Sequence, residues 1–246
     1  MLLKWSPEQI SGYAKRHNIF NISHERIYRF VADDKKNKGN LYKHLRHGNK
    51  RYRRKYGTGK RHSVIKDKIC IDQRPEIINN KKRLGDWEID TILGYDRSQA
   101  IVTITERVSK KLVAQKIPHH GALITAKATI KSLNKYRDFV YSITGDNGVE
   151  FAEHKMISSN LNATFYFAHP YSSWERGLNE NTNGLLRQYL PKRTDFNTID
   201  DKLLENLVQE INNRPRKTLE YQTPNEVFLA LSQNQSIIAL ESFAET

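Results

Sequence analysis

Residues 86–213 switch repeatedly between a two-residue and a 3.6-residue hydrophobic period, and this switching restricts the fold more than any other feature. The segments WEIDTILG, AIVTITERV and KLVAQKIP are short, rich in β-branched residues and separated by polar turns. They read as three consecutive strands in an antiparallel meander. From Gly121 to Arg137 the apolar residues Leu123, Ile124, Ala128, Ile130 and Leu133 recur at helical spacing. VYSIT then reads as a strand, 153–162 as a helix, TFYFA as a strand, and 176–190 and 200–213 as helices. A meander followed by alternating helix and strand predicts an α/β fold, a mixed sheet with helices packed on its faces.

Composition narrows the setting. A chain of 246 residues is long enough to bury a core, and no stretch of it approaches eighteen uninterrupted apolar residues. The opening MLLKWSPEQ is too short and polar for a signal peptide, so a cytoplasmic protein is expected, with no membrane partner. A single cysteine, Cys70, forbids an internal disulfide and any zinc site that needs two cysteines, and nothing in its sequence context marks it as activated.

Charge divides the chain. Residues 1–85 hold 23 Lys and Arg against 7 Asp and Glu, a net of +16, whereas residues 86–246 hold 18 against 20. This asymmetry predicts a nucleic-acid-binding arm joined to a domain with another task. Within the arm, Ser6-Pro7-Glu8-Gln9 carries an N-cap, a first-turn proline and a capping-box glutamine, opening a helix to about His17. After a turn at 18–21, Ser23 caps a second helix, HERIYRFVADD, with Ile27, Phe30 and Val31 as its apolar stripe. Such a pair suits a helix-turn-helix over 1–34, with Arg26 and Arg29 placed to meet DNA. Lys43 to Arg61 then holds nine basic residues and no acid, interleaved with Tyr42, Tyr52 and Tyr56. Residues 35–80 read as a basic linker that tracks a duplex, with Arg51, Arg53, Arg54 and Lys55 as DNA contacts. The second, near-neutral domain is expected over 81–233 and a tail over 234–246.

Among the acids of the near-neutral part, Asp90 lies inside the first strand, Asp146 ends the fourth in Thr144-Gly145-Asp146-Asn147-Gly148, and Glu180 lies on the helix opening near Arg176. On that helix Arg176, Asn183 and Arg187 share a face with Glu180, while Leu178, Leu185 and Tyr189 lie opposite. Carboxylates from a strand interior, a strand end and a helix suit a pair of Mg²⁺ ions acting on one phosphate. Twenty acids in this region permit many other triads, and residue types alone do not choose among them.

Trp87-Glu88-Ile89-Asp90, Asp146-Asn147-Gly148 with Phe151, and Gly177-Leu178-Asn179-Glu180 with Asn183 resemble the three signatures of the retroviral-integrase and transposase superfamily. Thirty-three residues separate Asp146 from Glu180, and Arg187 follows the glutamate by seven, as in one insertion-sequence branch. WSPEQI, SHERIY, LYKHLR, RPEIINNKKRLGDWEID, HPYSSWERGLNENTNGLLRQYLPK and INNRPRKTLEYQTPNEVF resemble, in addition, strings of the insertion-sequence-thirty family, from about residue 5 to 228.

That resemblance implies a ribonuclease-H-like core with a mixed five-stranded sheet and helices on both faces, preceded by a small helical unit. It implies Asp90, Asp146 and Glu180 as catalytic and metal-binding residues, Mg²⁺ as cofactor with Mn²⁺ as a substitute, and Arg187 and Asn183 facing DNA. Asp86 and Glu88 share strand parity with Asp90, and Glu175 is a rival to Glu180, but motif position favours the first-named set. Ile89 stands where many relatives have glycine, with its side chain expected away from the catalytic face. Pro170 to Trp174 matches a loop before the third acid, where Tyr171 and Trp174 either stack on a base or pack in the core. His119 and His120 read as surface residues, and His154 and His169 lie near the motifs. Relatives carry a further helix-turn-helix ahead of this one, so the terminal-repeat-binding module is expected to be absent.

The implied activity is cleavage at an insertion-sequence end and joining of the 3′-hydroxyl to target DNA. The implied partners are double-stranded DNA, both terminal repeats and target, and further copies of the chain on DNA, with no small-molecule substrate. Two alternatives are a truncated transposase acting as a DNA-binding regulator, and a stand-alone nuclease of the same fold.

Overall fold

The computed structural model describes residues 3–46, 65–95, 97–170 and 172–244. These form two compact units, Met1–Arg61 with Asn213–Val227, and His62–Asn212 with Phe228–Thr246.

In the first unit, α1 (Pro7–Arg16) opens on the capping box anticipated from sequence: Gln9 N donates to Ser6 Oγ at 3.2 Å, and Ser6 N donates to Gln9 Oε1 at 2.9 Å. Ser23 caps α2 (His24–Lys36) by accepting from Arg26 N. The stripe of α2 is narrower than expected. Val31 is buried and Ile27 half-buried, but Phe30 is 65% exposed. At 100° per residue Phe30 falls some 80° from the midline of the other two, at the rim of the face. Segment 213–227, read from sequence as the end of the core, instead meets α1, where Gln9 Nε2 donates to Pro215 O and Lys217 pairs with Glu8.

The second unit is built on a six-stranded sheet, one strand more than expected. The strands are β1 (Ile69–Cys70), β2 (Asp86–Leu93), β3 (Ala100–Glu106), β4 (Leu112–Ile117), β5 (Ser142–Gly145) and β6 (Thr164–Phe167). They lie in the order β1-β6-β5-β2-β3-β4, with β2, β3 and β4 antiparallel and β5, β6 and β1 parallel to β2. The meander beside parallel strands is the ribonuclease-H-like arrangement. The extra strand comes from residues assigned to the linker: 65–80 also carry a short helix, α3 (Glu76–Asn79), and bury Ile65, Ile71 and Ile78. Two residues are too few to show a period in sequence.

Strand parity sorts the sheet faces. On β2 and β3, Trp87, Ile89, Val102 and Ile104 point into one core, with residues of α4 (Ala122–Asn134) and α5 (His154–Leu161). Ile92 and Ile101 point into the other, with α6 (Gly177–Leu186) and α7 (Asp201–Asn212). Asp86, Glu88 and Asp90 share parity with Ile92 and so lie on the α6 face, while Ile89 is fully buried on the opposite one. A final helix, α8 (Pro224–Ala244), has no counterpart in the sequence reading. Its signal was present as a capping box: Glu226 N donates to Thr223 Oγ1, and Thr223 N to Glu226 Oε2.

Candidate active site

Asp90 is held by both of its oxygens. Thr91 N donates to Oδ1 at 2.9 Å, and Asn183 Nδ2 donates to Oδ2 at 2.8 Å. Asn183 is itself fixed, because Thr103, the residue paired with Asp90 across β2 and β3, donates its hydroxyl to Asn183 Oδ1 at 2.8 Å. Asp146 follows β5 and accepts from Gly148 N at 3.0 Å, which closes the Asp-Asn-Gly turn. Asn147 Nδ2 bonds Ala168 O, and Lys68 donates to Asn147 Oδ1, so the turn is tied to the segment after β6. A side chain at Gly145 would meet Phe165 and Ile89, which explains the glycine before Asp146.

The two acids converge on one cation. Arg176, just before α6, lies 3.1 Å from Asp146 Oδ2 and 3.8 Å from Asp90 Oδ1. Its Nε is buried without a hydrogen-bond partner, so opposite charge, rather than a full set of hydrogen bonds, holds the guanidinium there. Burial raises the Asp90 carboxyl to about 6; Arg176 pulls it down, and the nearby Asp146 and Glu150 charges push it up. A half-buried acid that shares one arginine with a second acid is an oxygen-donor set that fits a hard divalent cation.

Glu180 is exposed on the first turn of α6. Asn183, three residues on, therefore stands one turn from it on the same side and joins its helix to Asp90. Arg187 donates from Nη2 to Leu93 O at 2.8 Å and from Nη1 toward Leu190 O and Pro191 O, so its guanidinium is engaged with backbone carbonyls. Arg26 and Arg29 are exposed on α2, whereas Arg51, Arg53, Arg54, Lys55 and Tyr171 lie outside the described residues. Trp174 is 75% exposed, so core packing does not account for it.

The rival acids have other partners. Asp86 accepts from Arg83 Nε and Nη2, each at 3.0 Å, and from Ser142 Oγ. Glu88 pairs with buried Arg107 at 3.2 Å and accepts from Asn179 N. Glu175 accepts from both the backbone N and Nδ1 of His169. Sequence reasoning missed Glu150, which is buried and joins Thr91 Oγ1 and His120 Nε2, so His120 is a structural residue rather than a plain surface histidine. Glu150 lies in a single 3-10 turn, Val149–Phe151, where no period marks it.

No family model matches the chain. Curated relatives do. The chain is 43% identical over 238 residues to the transposase for insertion sequence element IS4351 of Bacteroides fragilis, covering 97% of this chain and 73% of the relative. The chain belongs to the IS30 family of insertion-sequence transposases. It is also 36% identical to the transposase for IS1086 of Cupriavidus metallidurans, covering 94% of this chain and 70% of that protein. Transposase InsI for IS30A of Escherichia coli is 36% identical, with 92% of this chain and 61% of that protein covered. Among solved structures, the catalytic core domain of BIV integrase aligns with 61% of this chain and 97% of its own, with TM-score 0.48 and 22% identity.

Proposed function

We propose that the chain is a transposase that cleaves DNA at insertion-sequence ends and joins the freed 3′-hydroxyl to target DNA, with Asp90, Asp146 and Glu180 as its catalytic carboxylates. The observation that carries this reading is the convergence of Asp90 and Asp146 on one cationic group, beside the helix that bears Glu180. In cleavage, water adds to phosphorus, the bond to the 3′ oxygen breaks, and that oxygen takes up a proton as water loses one. In joining, the 3′-hydroxyl loses its proton, attacks a target phosphorus in line and displaces the other oxygen, so one phosphodiester replaces another.

Asp90, Asp146 and Glu180 would hold Mg²⁺, with Mn²⁺ as a substitute; such ions activate the attacking oxygen and offset charge on the leaving one. The protein's own part is placement. Thr91 N and Asn183 fix the Asp90 carboxylate, Gly148 N fixes that of Asp146, and Arg176 supplies positive charge between them. Asn183 acts here by positioning Asp90. Arg187, anchored to Leu93 O through one N–H, faces the DNA with its remaining donors. Arg26 and Arg29 on α2, with Arg51, Arg53, Arg54 and Lys55 beyond it, make the duplex contacts, and further copies of the chain assemble on the DNA in the cytoplasm. Trp174 stands ready to stack on an unpaired base.

The test is cleavage and strand transfer on cognate ends with Mg²⁺, with wild type beside Asp146→Asn. The variant should bind DNA but form neither cleaved nor joined product. Undiminished cleavage by the variant would overturn the assignment of the acids. Cleavage without joining by the wild type would point to a nuclease, and binding without products to a regulator.

A further inference from the structure

We propose that Cys70, Asp72 and His169 form a binding site for a thiophilic divalent cation of the zinc class, separate from the carboxylates at Asp90 and Asp146. The backbone brings the three together. Cys70 pairs with Phe167 across β1 and β6, His169 follows two residues later, and Asp72 lies in the 3-10 turn Ile71–Gln73 that continues from Cys70. Among the described residues this is the group of three Cys, His, Asp or Glu side chains whose ligand atoms all lie within 4.8 Å of one another.

The separations fit one tetrahedral ion. Cys70 Sγ is 3.6 Å from His169 Nε2 and 3.2 Å from Asp72 Oδ2, and Nε2 is 2.9 Å from Oδ2. Zinc bonds of about 2.3 Å to sulfur and about 2.0–2.1 Å to nitrogen or oxygen give tetrahedral edges of roughly 3.6, 3.6 and 3.4 Å. The sulfur–nitrogen edge already has that length, and the carboxylate has to move by only a few tenths of an ångström. Asp72 is 69% exposed along its side chain and has room to do so.

The histidine is also aimed. Glu175 Oε1 lies 2.8 Å from Nδ1, and Oε2 accepts from the His169 backbone N at 2.8 Å. A carboxylate on one ring nitrogen orients the other toward a metal and raises its basicity, the usual support of a metal-bound histidine. Binding would displace the proton on Nε2 and that on Sγ. A thiolate, an imidazole and a carboxylate suit zinc-like ions and not Mg²⁺ or Ca²⁺, which take oxygen ligands. Three protein ligands at an exposed edge leave the fourth position to water. Ligation would tie β1 to the segment that runs from His169 into Arg176 and α6. The inference does not depend on the transposase reading.

The test titrates the full-length, metal-free protein with Co²⁺ in excess Mg²⁺, so that hard-ion sites are filled. A thiolate-to-cobalt charge-transfer band should grow to a stoichiometric endpoint and vanish when Zn²⁺ is added. Cys70→Ala should lack the band, and Glu175→Gln should keep it with affinity weaker by about 10–100-fold. Asp146→Asn should leave band and affinity unchanged, so this outcome stays separate from the strand-transfer result. Asp72→Asn, at an exposed side chain, guards against misfolding of the cysteine variant and should weaken binding without altering the far-ultraviolet dichroism. A wild type without the band, or a band that persists at equal affinity in both His169→Ala and Asp72→Asn, would overturn the site.

Discussion

Asp90 shows how a single side chain ties stability to pH. Its carboxyl is raised to about 6 by burial, above the ordinary value of 3.8. Between those values the metal-free fold holds a proton that the unfolded chain has released, so stability falls as pH rises from about 4 to 6. The loss should reach about 1–3 kcal/mol by pH 7. Urea unfolding over that range should show the decline in wild type and less of it in Asp90→Asn; equal slopes would contradict this account. If Asp90 holds a divalent ion as proposed, the ion displaces the same proton, and its affinity should drop below pH 6. Asn183→Leu removes the donor to Asp90 and the acceptor of the Thr103 hydroxyl, and should cost about 1–3 kcal/mol in the same unfolding assay. These residue-level couplings were hidden in sequence. The helical wheel placed Asn183 beside Glu180, but nothing in a wheel names Asp90 as its partner.

At the scale of elements, β2 carries two jobs on its two faces. Its odd residues Trp87 and Ile89 fill the core under α4 and α5, and its even residues present acids toward α6. Period two made that division legible. The buried pair of Glu88 and Arg107 joins elements that the sequence could not connect: Arg107 also donates to Ile78 O of α3, and Glu88 accepts from Asn179 N of α6. Arg107→Ala leaves a buried carboxylate unpaired and should destabilise by about 3–5 kcal/mol, read as a lowered urea midpoint. A change under 1 kcal/mol would mean that water reaches Glu88. Short elements were the least legible. The two-residue β1 and the 3-10 turn holding Glu150 carry no periodic signal, and α6 ends at Leu186 rather than near residue 190, because its last turn closes through tighter contacts at Gln188 and Tyr189.

For the whole molecule, charge and fold divide the labour. The formal charge of +14 is concentrated in residues 1–85, so duplex binding should be strongly salt-dependent. If about six phosphates are neutralised, affinity falls roughly 10³-fold between 50 and 200 mM salt. Fluorescence anisotropy with a labelled duplex measures this, and a flat response would remove the basic arm from the binding surface. Among the described residues no helix is long and apolar enough to cross a membrane.

The sequence by itself determined five of the six strands and their order in the chain, the split between a basic arm and a near-neutral core, and the parity that puts Asp86, Glu88 and Asp90 on one face. These follow from local periods and counts, which need no knowledge of neighbours in space. Only the tertiary structure decided which cation each acid meets. Arg83 neutralises Asp86 and Arg107 neutralises Glu88, while Asp90 is left to share Arg176 with Asp146. Parity gives all three acids the same face, and the distinction rests on which cation lies within a few ångströms, a matter of long-range packing that no local pattern encodes.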